Sequence, residues 1–401
     1  MLDTIYTSTS GLQSFSKGLD VISGNVTNVN TFGYKSNTLV YEDVHYRFDM
    51  AGDQRGEMYG FQNGSGVAAN ITTARFADGD LRQTGNNTDV AIQGKGFFIL
   101  DKDGEQVYTR DGQFTFDKDG DLASQSGGFK VQGMADNGSL QRLNQNSFRN
   151  QPAAPTTSIS FIGNLSTGST TATINNVTVF DSLGASHNFK ITLAADTEPR
   201  TWKVSIADEN GTAVGAGGSI AFQNNGSPAD GTNTVKFTYQ ASGAAAQDIV
   251  LNFGDAGSFS GVTSFSGGTT SSVAMGAQNG HAQGSLLSIT FDDKGKMIAK
   301  YSNQQTVTGP QLALANFDNL QALIRMDGAM FRAQDNQKPV IGVAGKDNFG
   351  TIAGGNLEAS NVDLSQQFSD MIVIQRGYQA SSQMLTVANE MMQQLLEMNK
   401  K

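Results

Sequence analysis

Apolar residues recur every three or four positions at the two ends of the chain and every second position between them. From residue 5 to residue 29, Ile5, Leu12, Leu19 and Val26 stand seven apart, with Phe15, Ile22 and Val29 as a second set. The steps from Leu12 through Phe15, Leu19 and Ile22 to Val26 alternate three and four, the stripe of a helix packing along another helix. A helix of about 25 residues, roughly 37 Å long, is predicted here. Poorer helix formers follow in SGNVTNVNTFGYKS, residues 23–36, where Gly33 is the expected stop. At the other end Leu364, Met371, Tyr378, Leu385 and Met392 fall seven apart, flanked by Phe368, Ile372, Leu395 and Leu396. Ser360, Asn361 or Asp363 can cap a second helix of about 35 residues, roughly 50 Å. Two long amphipathic helices with narrow apolar stripes are natural partners, and an antiparallel, coiled-coil-like pair is expected, with Tyr378 and Leu385 facing Leu12 and Leu19.

Between the helices the period changes to two. GFFILDKDGEQVYTRDGQFTFDKDGDLASQSG reads as strand, turn, strand twice over, with DKDG at 101–104 and 117–120, and SLLSITFDDKGKMIAKYS repeats the pattern around Asp293-Lys294-Gly295. Asp and Gly between alternating apolar residues mark tight hairpins. Residues 151–280 contain only four basic side chains (Lys190, Arg200, Lys203 and Lys236) and short strands such as WKVSIAD and NTVKFTY between Gly- and Asn-rich turns. That spacing suggests a sandwich or barrel inserted into the rest. Residues 31–70 contain little pattern and read as a linker. The expected fold is mainly β, multi-domain, with helical termini. Its parts are a helical domain (1–30 with 360–401), the linker (31–70), a core β domain (71–148 with 285–359) and an inserted outer β domain (149–284).

Composition narrows the chemistry. The 47 glycines against 6 prolines suit a turn-rich β protein. A net charge of -10 and a pI near 4.8 argue against a nucleic-acid partner. Zero cysteines remove disulfides, thiolate catalysis and zinc–thiolate sites. No run of 18 apolar residues is present to insert into a membrane, and the start lacks the pattern of a secretory signal. The acidic turns do not fit a calcium loop: counting from Asp101, Gly falls at position four and Gly112 occupies the position that needs Glu. His45, His187 and His281 stand in separate segments with no motif partner, and no acid pair has a spacing suited to acid–base work. No catalytic residue, cofactor or metal site is expected. What remains is interaction, and ends that bury themselves against neighbouring copies in a non-closing contact would build a filament.

Three stretches carry a family resemblance. SGLQSFSKGLDVISGNVTNVNTFGYKS resembles the N-terminal signature of the flagellar rod and hook proteins, and GNLEASNVDLSQQFSDMIVIQRGYQASSQML resembles their C-terminal signature. TGNNTDVAIQGKGFFIL through YTRDGQF is similar to their shared core. Departures are mild: Gly24 replaces a usual Asn, Tyr34 a usual Phe, and ASSQM stands where an Ala-Asn pair is usual. The segment 150–284 carries no recognised motif, but its presence and the run YSNQQTVTGPQLALANFDNLQAL make the chain resemble the longer, hook-type members rather than distal-rod-type axial subunits. The resemblance implies a structural subunit that polymerises with itself into a curved tube around an export channel and works as a universal joint. It also implies export by the flagellar apparatus, and contacts with the rod, the hook cap and the hook–filament junction proteins. The subunit interface would be carried by Leu12, Phe15, Leu19, Ile22, Asn25, Val26, Asn28, Asn30, Leu364, Phe368, Met371, Tyr378, Leu385 and Met392.

Overall fold

A computed structural model describes the chain except at residues 1, 45, 53–57, 65, 136, 335 and 399–401, with the backbone alone at Leu2 and over 46–64. It divides into two compact units, one of residues 1–146, 289–299 and 307–401, the other of residues 147–288 and 300–306.

The first unit contains both helices. Helix α1 spans Leu2–Thr27 and helix α2 spans Leu364–Met398. Asp363 caps α2, its Oδ1 accepting from the amides of Ser365 at 2.9 Å and Gln366 at 3.3 Å. Helix α1 stops six residues before Gly33, because Asn28 turns its amide back: its Nδ2 donates to the carbonyl of Gly24 at 2.8 Å. The helices run antiparallel. Asn25 bonds Gln367, while Gly18 meets Ile374, Phe15 meets Gly377 and Gly11 meets Ser381; in each pair the two residue numbers add to 392.

The seam between them is narrower than the apolar stripe predicts. On α1 the buried positions are Ser8, Gly11, Ser14, Gly18, Ile22 and Asn25, mostly small residues three or four apart. A Cβ on Gly18 would lie 2.8 Å from Ile374 Cδ1, and one on Gly377 2.6 Å from Phe15 Cζ. Small side chains let the two backbones approach, and larger apolar residues are displaced to the flanks.

Residues 31–70, expected as a linker, carry strands instead. β1 (Asn37–Asp43) pairs with β4 (Val67–Ala74), and β2 (Tyr46–Gly52) pairs with β3 (Met58–Gly64), all antiparallel. The two pairings are separate two-stranded sheets, and the first, the ribbon of β1 and β4, has a bulge between Val40 and Glu42. Its base lies on α1, where Ser14 Oγ donates to the carbonyl of Val67 at 3.1 Å and Lys17 Nζ to Asn70 Oδ1 at 3.3 Å. β-branched residues (Val40, Ile71, Thr72, Thr73) favour extended backbone over coil here.

The β part of the first unit is built around the strand 97–102, which pairs with 105–109, 130–134 and the strand over 306–316. Its run Phe97–Leu100 is buried on both faces, which explains an unbroken apolar stretch in place of alternation. The predicted hairpin at DKDG is present. Lys102 faces Glu105, and Asp103 and Gly104 both have positive φ (54° and 87°), the two-residue turn that matches strand twist. Phe97, Tyr108, Phe317 and Phe331 form one aromatic core cluster.

The second unit is a sandwich. One sheet has four strands (171–180, 186–195, 201–207, 218–221), and the other is built on 234–239, 247–252 and 158–164. Trp202, Val204 and Ile206 point inward from one sheet and Phe237, Ile249 and Leu251 from the other, in a single core. No sheet closes into a barrel among the described residues. Of the three histidines, His187 bonds Asp181 at 2.9 Å and His281 bonds the carbonyl of Ala282 at 3.1 Å, while His45 lies outside the described residues.

Candidate assembly interface and the junction beneath it

The residues expected at a subunit interface separate into three groups. Ile22 and Asn25 are buried within the chain, at 5% and 1% exposure. Leu12, Phe15, Leu19, Val26, Asn28, Met371, Leu385 and Met392 are half-buried along the flanks of the helix pair. Leu364, Phe368, Tyr378 and Asn30 are exposed. Tyr378 is 41% exposed and so is off the intrachain seam where the seven-residue spacing puts it. The reason is geometric: Gly377 occupies the close-contact position and turns its neighbour outward.

The side of α2 that α1 leaves uncovered is mixed. Phe368 (51%), Ile372 (59%) and Val373 (69%) form an exposed apolar cluster near its start, followed by polar side chains such as Gln379, Gln383 and Glu390, and such a cluster is more than an isolated helix pair needs.

The asparagines at the end of α1 do two intrachain jobs. Asn25 Nδ2 donates to the carbonyl of Asn37 and to Gln367 Oε1, both at 2.8 Å. Its Oδ1 accepts from the Asn37 amide at 2.8 Å and from the Tyr34 hydroxyl at 3.3 Å. One amide therefore ties α1, the start of β1 and α2 together without a buried charge. Asn28 closes the helix end and accepts from Thr31 Oγ1 at 3.1 Å. Fully used within the chain, Asn25 has no amide left for a neighbour.

Below this point the two passages between helices and β body run side by side. The Gly33 amide donates to the carbonyl of Glu358 at 2.8 Å, and the Ser36 amide to Asn361 Oδ1 at 2.7 Å. Asn361 Nδ2 donates in turn to the carbonyls of Arg75 and Ala77. A buried ion cluster sits here. Lys35 Nζ lies 2.5 Å from Glu358 Oε1, with both side chains 1% exposed, and also donates to the carbonyl of Ala77 at 2.8 Å. Arg110 reaches Glu358 Oε2 at 3.3 Å, Asp78 at 3.4 Å and the carbonyl of Gly94 at 2.7 Å, and the Gly79 amide donates to Glu358 at 2.8 Å. Arg325 lies over the Tyr34 ring at 4.5 Å and donates to the carbonyl of Lys35. Burial draws the Lys35 ammonium below its usual range, opposed by the charge of Glu358. Nearby, burial pushes the Asp111 carboxyl up to about 6, with the Gln113 amide opposing and Asp89 adding to the rise. Gly33, at φ +66°, lets the Asp111 backbone pass where any Cβ would clash.

None of these charged residues stands out by periodicity. The signal lies elsewhere: Lys35, Arg110 and Glu358 belong to TFGYKS, YTRDGQF and GNLEASNVDL, the three stretches that carry the family resemblance, which the fold brings to one point.

Comparison with known proteins agrees with this arrangement. A model described as "Flagella basal body rod protein" matches residues 5–35, one for the "Flagellar hook protein FlgE/F/G D1 domain" matches 91–179, and "Flagellar basal body rod FlgEFG protein C-terminal" matches 353–398. The flagellar hook protein FlgE of Escherichia coli K12 is 30% identical, with 97% of this chain and 98% of that protein aligned. That of Treponema pallidum (Nichols) is 29% identical over the full length of both. The crystal structure of Helicobacter pylori flagellar hook protein FlgE2 shares the fold, at a TM-score of 0.50 and 12% identity over 69% of this chain and 100% of that one. Matched end to end at these identities, the chain belongs to the flagellar hook protein FlgE family.

Proposed function

We propose that the chain polymerises with itself into the curved, hollow hook of a bacterial flagellum and serves there as a universal joint that passes motor torque to the filament. The observation that carries this is the exposed apolar cluster of Phe368, Ile372 and Val373 on α2, which stays uncovered although α1 is docked along the helix. Burying it requires more copies of the chain. The helical domain (1–30 with 360–401) lines the channel in this reading, and the outer sandwich slides against its neighbours as each row of subunits shortens and lengthens. Small polar contacts that re-form at low cost suit that motion. Rod, hook cap and hook–filament junction proteins meet the polymer at its ends, and the chain reaches its place through the flagellar export apparatus.

The test is assembly of the purified chain viewed by electron microscopy. Curved tubes are expected. Straight, stiff rods would instead mark a distal-rod-type subunit, and a persistent monomer would sink the polymer reading.

A further inference from the structure

We infer that the C-terminal end of α2 in one copy inserts into a cavity at the opposite end of the helix pair in the next copy. This rests on the polymer reading above and names the surfaces that meet.

The register of the helix pair leaves α2 longer than its partner. Because paired residues add to 392, Leu2 lies opposite Glu390, and residues 391–398 extend beyond α1. That overhang is about 12 Å long. Its apolar side chains are open to solvent: Met391 is 43% exposed, Leu395 49%, Leu396 61% and Met398 75%. Met and Leu are adaptable, unbranched or γ-branched side chains suited to filling an irregular hole.

The hole lies elsewhere on the same unit. Between α1, α2 and β1 is an open cavity of about 260 Å³ with apolar walls from Val21, Leu39, Tyr41, Val373 and Ile374. Asp370 is the one acid among its lining residues. The cavity exists because Gly18 supplies no side chain where Tyr41 and Ile374 converge. It has room for more than one aliphatic side chain. The sequence after the overhang adds Lys400 and Lys401, of opposite charge to Asp370.

An overhang cannot fill its own cavity. Residues 374 and 391 stand on one continuous helix about 25 Å apart, and a helix does not fold back over that distance. The occupant is therefore a second copy. Since donor and acceptor are different surfaces at different places, the contact is head-to-tail, and with a rotation between copies that does not close it builds the helical array of the polymer reading.

The chain has no cysteine, so single thiols report cleanly. Val373→Cys and Leu395→Cys chains, each alone and mixed, are to be polymerised and mildly oxidised. The mixture should give a covalent dimer joining the two variants, and a chain carrying both substitutions should give a ladder. Polymers visible by electron microscopy without a 373–395 cross-link would overturn the inference and leave the polymer reading intact; no polymer from wild-type chain would overturn both. In parallel, Leu395→Ser with Leu396→Ser should raise the critical concentration by about tenfold or more while the thermal melt of the monomer is unchanged. An unchanged critical concentration would also overturn the inference.

Discussion

At the scale of single residues, the junction depends on one carboxylate shared by two cations. Glu358 takes Lys35 on one oxygen and Arg110 on the other, in a site with almost no solvent. Removing its charge leaves the buried Lys35 ammonium with only the Ala77 carbonyl and Arg110 with Asp78 and the Gly94 carbonyl, whereas removing Lys35 leaves Glu358 with Arg110 and the Gly79 amide. Glu358→Gln is therefore expected to cost about 3–5 kcal/mol in urea unfolding, and Lys35→Met clearly less. A Glu358→Gln midpoint equal to wild type would contradict the account. Asp111 provides a pH test. Its carboxyl titrates near 6 in the fold against an ordinary 3.8, so the folded chain holds this proton more tightly than the unfolded one. The stabilising contribution is complete below pH 3.8 and is lost as pH rises through 6. Asp111→Asn keeps an acceptor for the Gln113 amide and carries no titration. Above pH 6 it should be more stable than wild type by up to about 3 kcal/mol, and the difference should vanish toward pH 4. A difference that stays constant with pH would rule this out.

At the scale of elements, the helix pair separates two kinds of apolar work. Small residues bring α1 and α2 close together around a few large ones (Phe15, Ile22 and Ile374), while Phe368 and Ile372 face outward. Substitutions on the two faces should therefore behave oppositely. Gly377→Leu drives a side chain into Phe15 and should lower monomer stability by about 1–3 kcal/mol. Phe368→Ser removes a side chain that is half in solvent and should leave the monomer within about 0.5 kcal/mol of wild type while impairing assembly. Calorimetry of the monomer and sedimentation of the polymer read the two effects; a stability loss at Phe368 equal to that at Gly377 would remove the distinction. The ribbon β1–β4 belongs to the same scale. A two-stranded ribbon is marginal alone, and it is anchored by the polar contacts of Ser14 and Lys17 on α1.

At the scale of the whole molecule, the sandwich has a core of its own, separate from the aromatic core around Phe97. Replacing residues 151–280 with a short Gly/Ser linker should leave a soluble first unit that melts cooperatively, because the hairpins at 97–109 and 289–299 complete themselves without it. If it polymerises, straight or irregularly bent polymers are expected in place of curved ones. An insoluble or molten product would mean that the sandwich supports the core, and unchanged curvature would move the shape-setting contacts inward.

Periodicity in the sequence determined the second helix closely, the first to within a few residues with its stop misplaced at Gly33, the hairpin at Asp103-Gly104 and the alternating strands of the sandwich. Each follows from local backbone preference and from which side of an element meets water, and both are written along the chain. The seam between the helices was not legible. A heptad of large apolar residues signals burial of some kind but cannot say whether a helix of the same chain or of another copy covers it. Only the packed structure decided that Gly11, Gly18 and Gly377 face inward and Phe368 and Tyr378 outward. The strands 37–43 and 67–74 were hidden for a related reason: they are ordered by pairing with each other and by α1, not by alternation of their own. Least legible was the cluster of Lys35, Arg110 and Glu358, separated by up to 323 positions. A charge is stable without water only where its partners arrive, and that placement is a property of the tertiary fold alone.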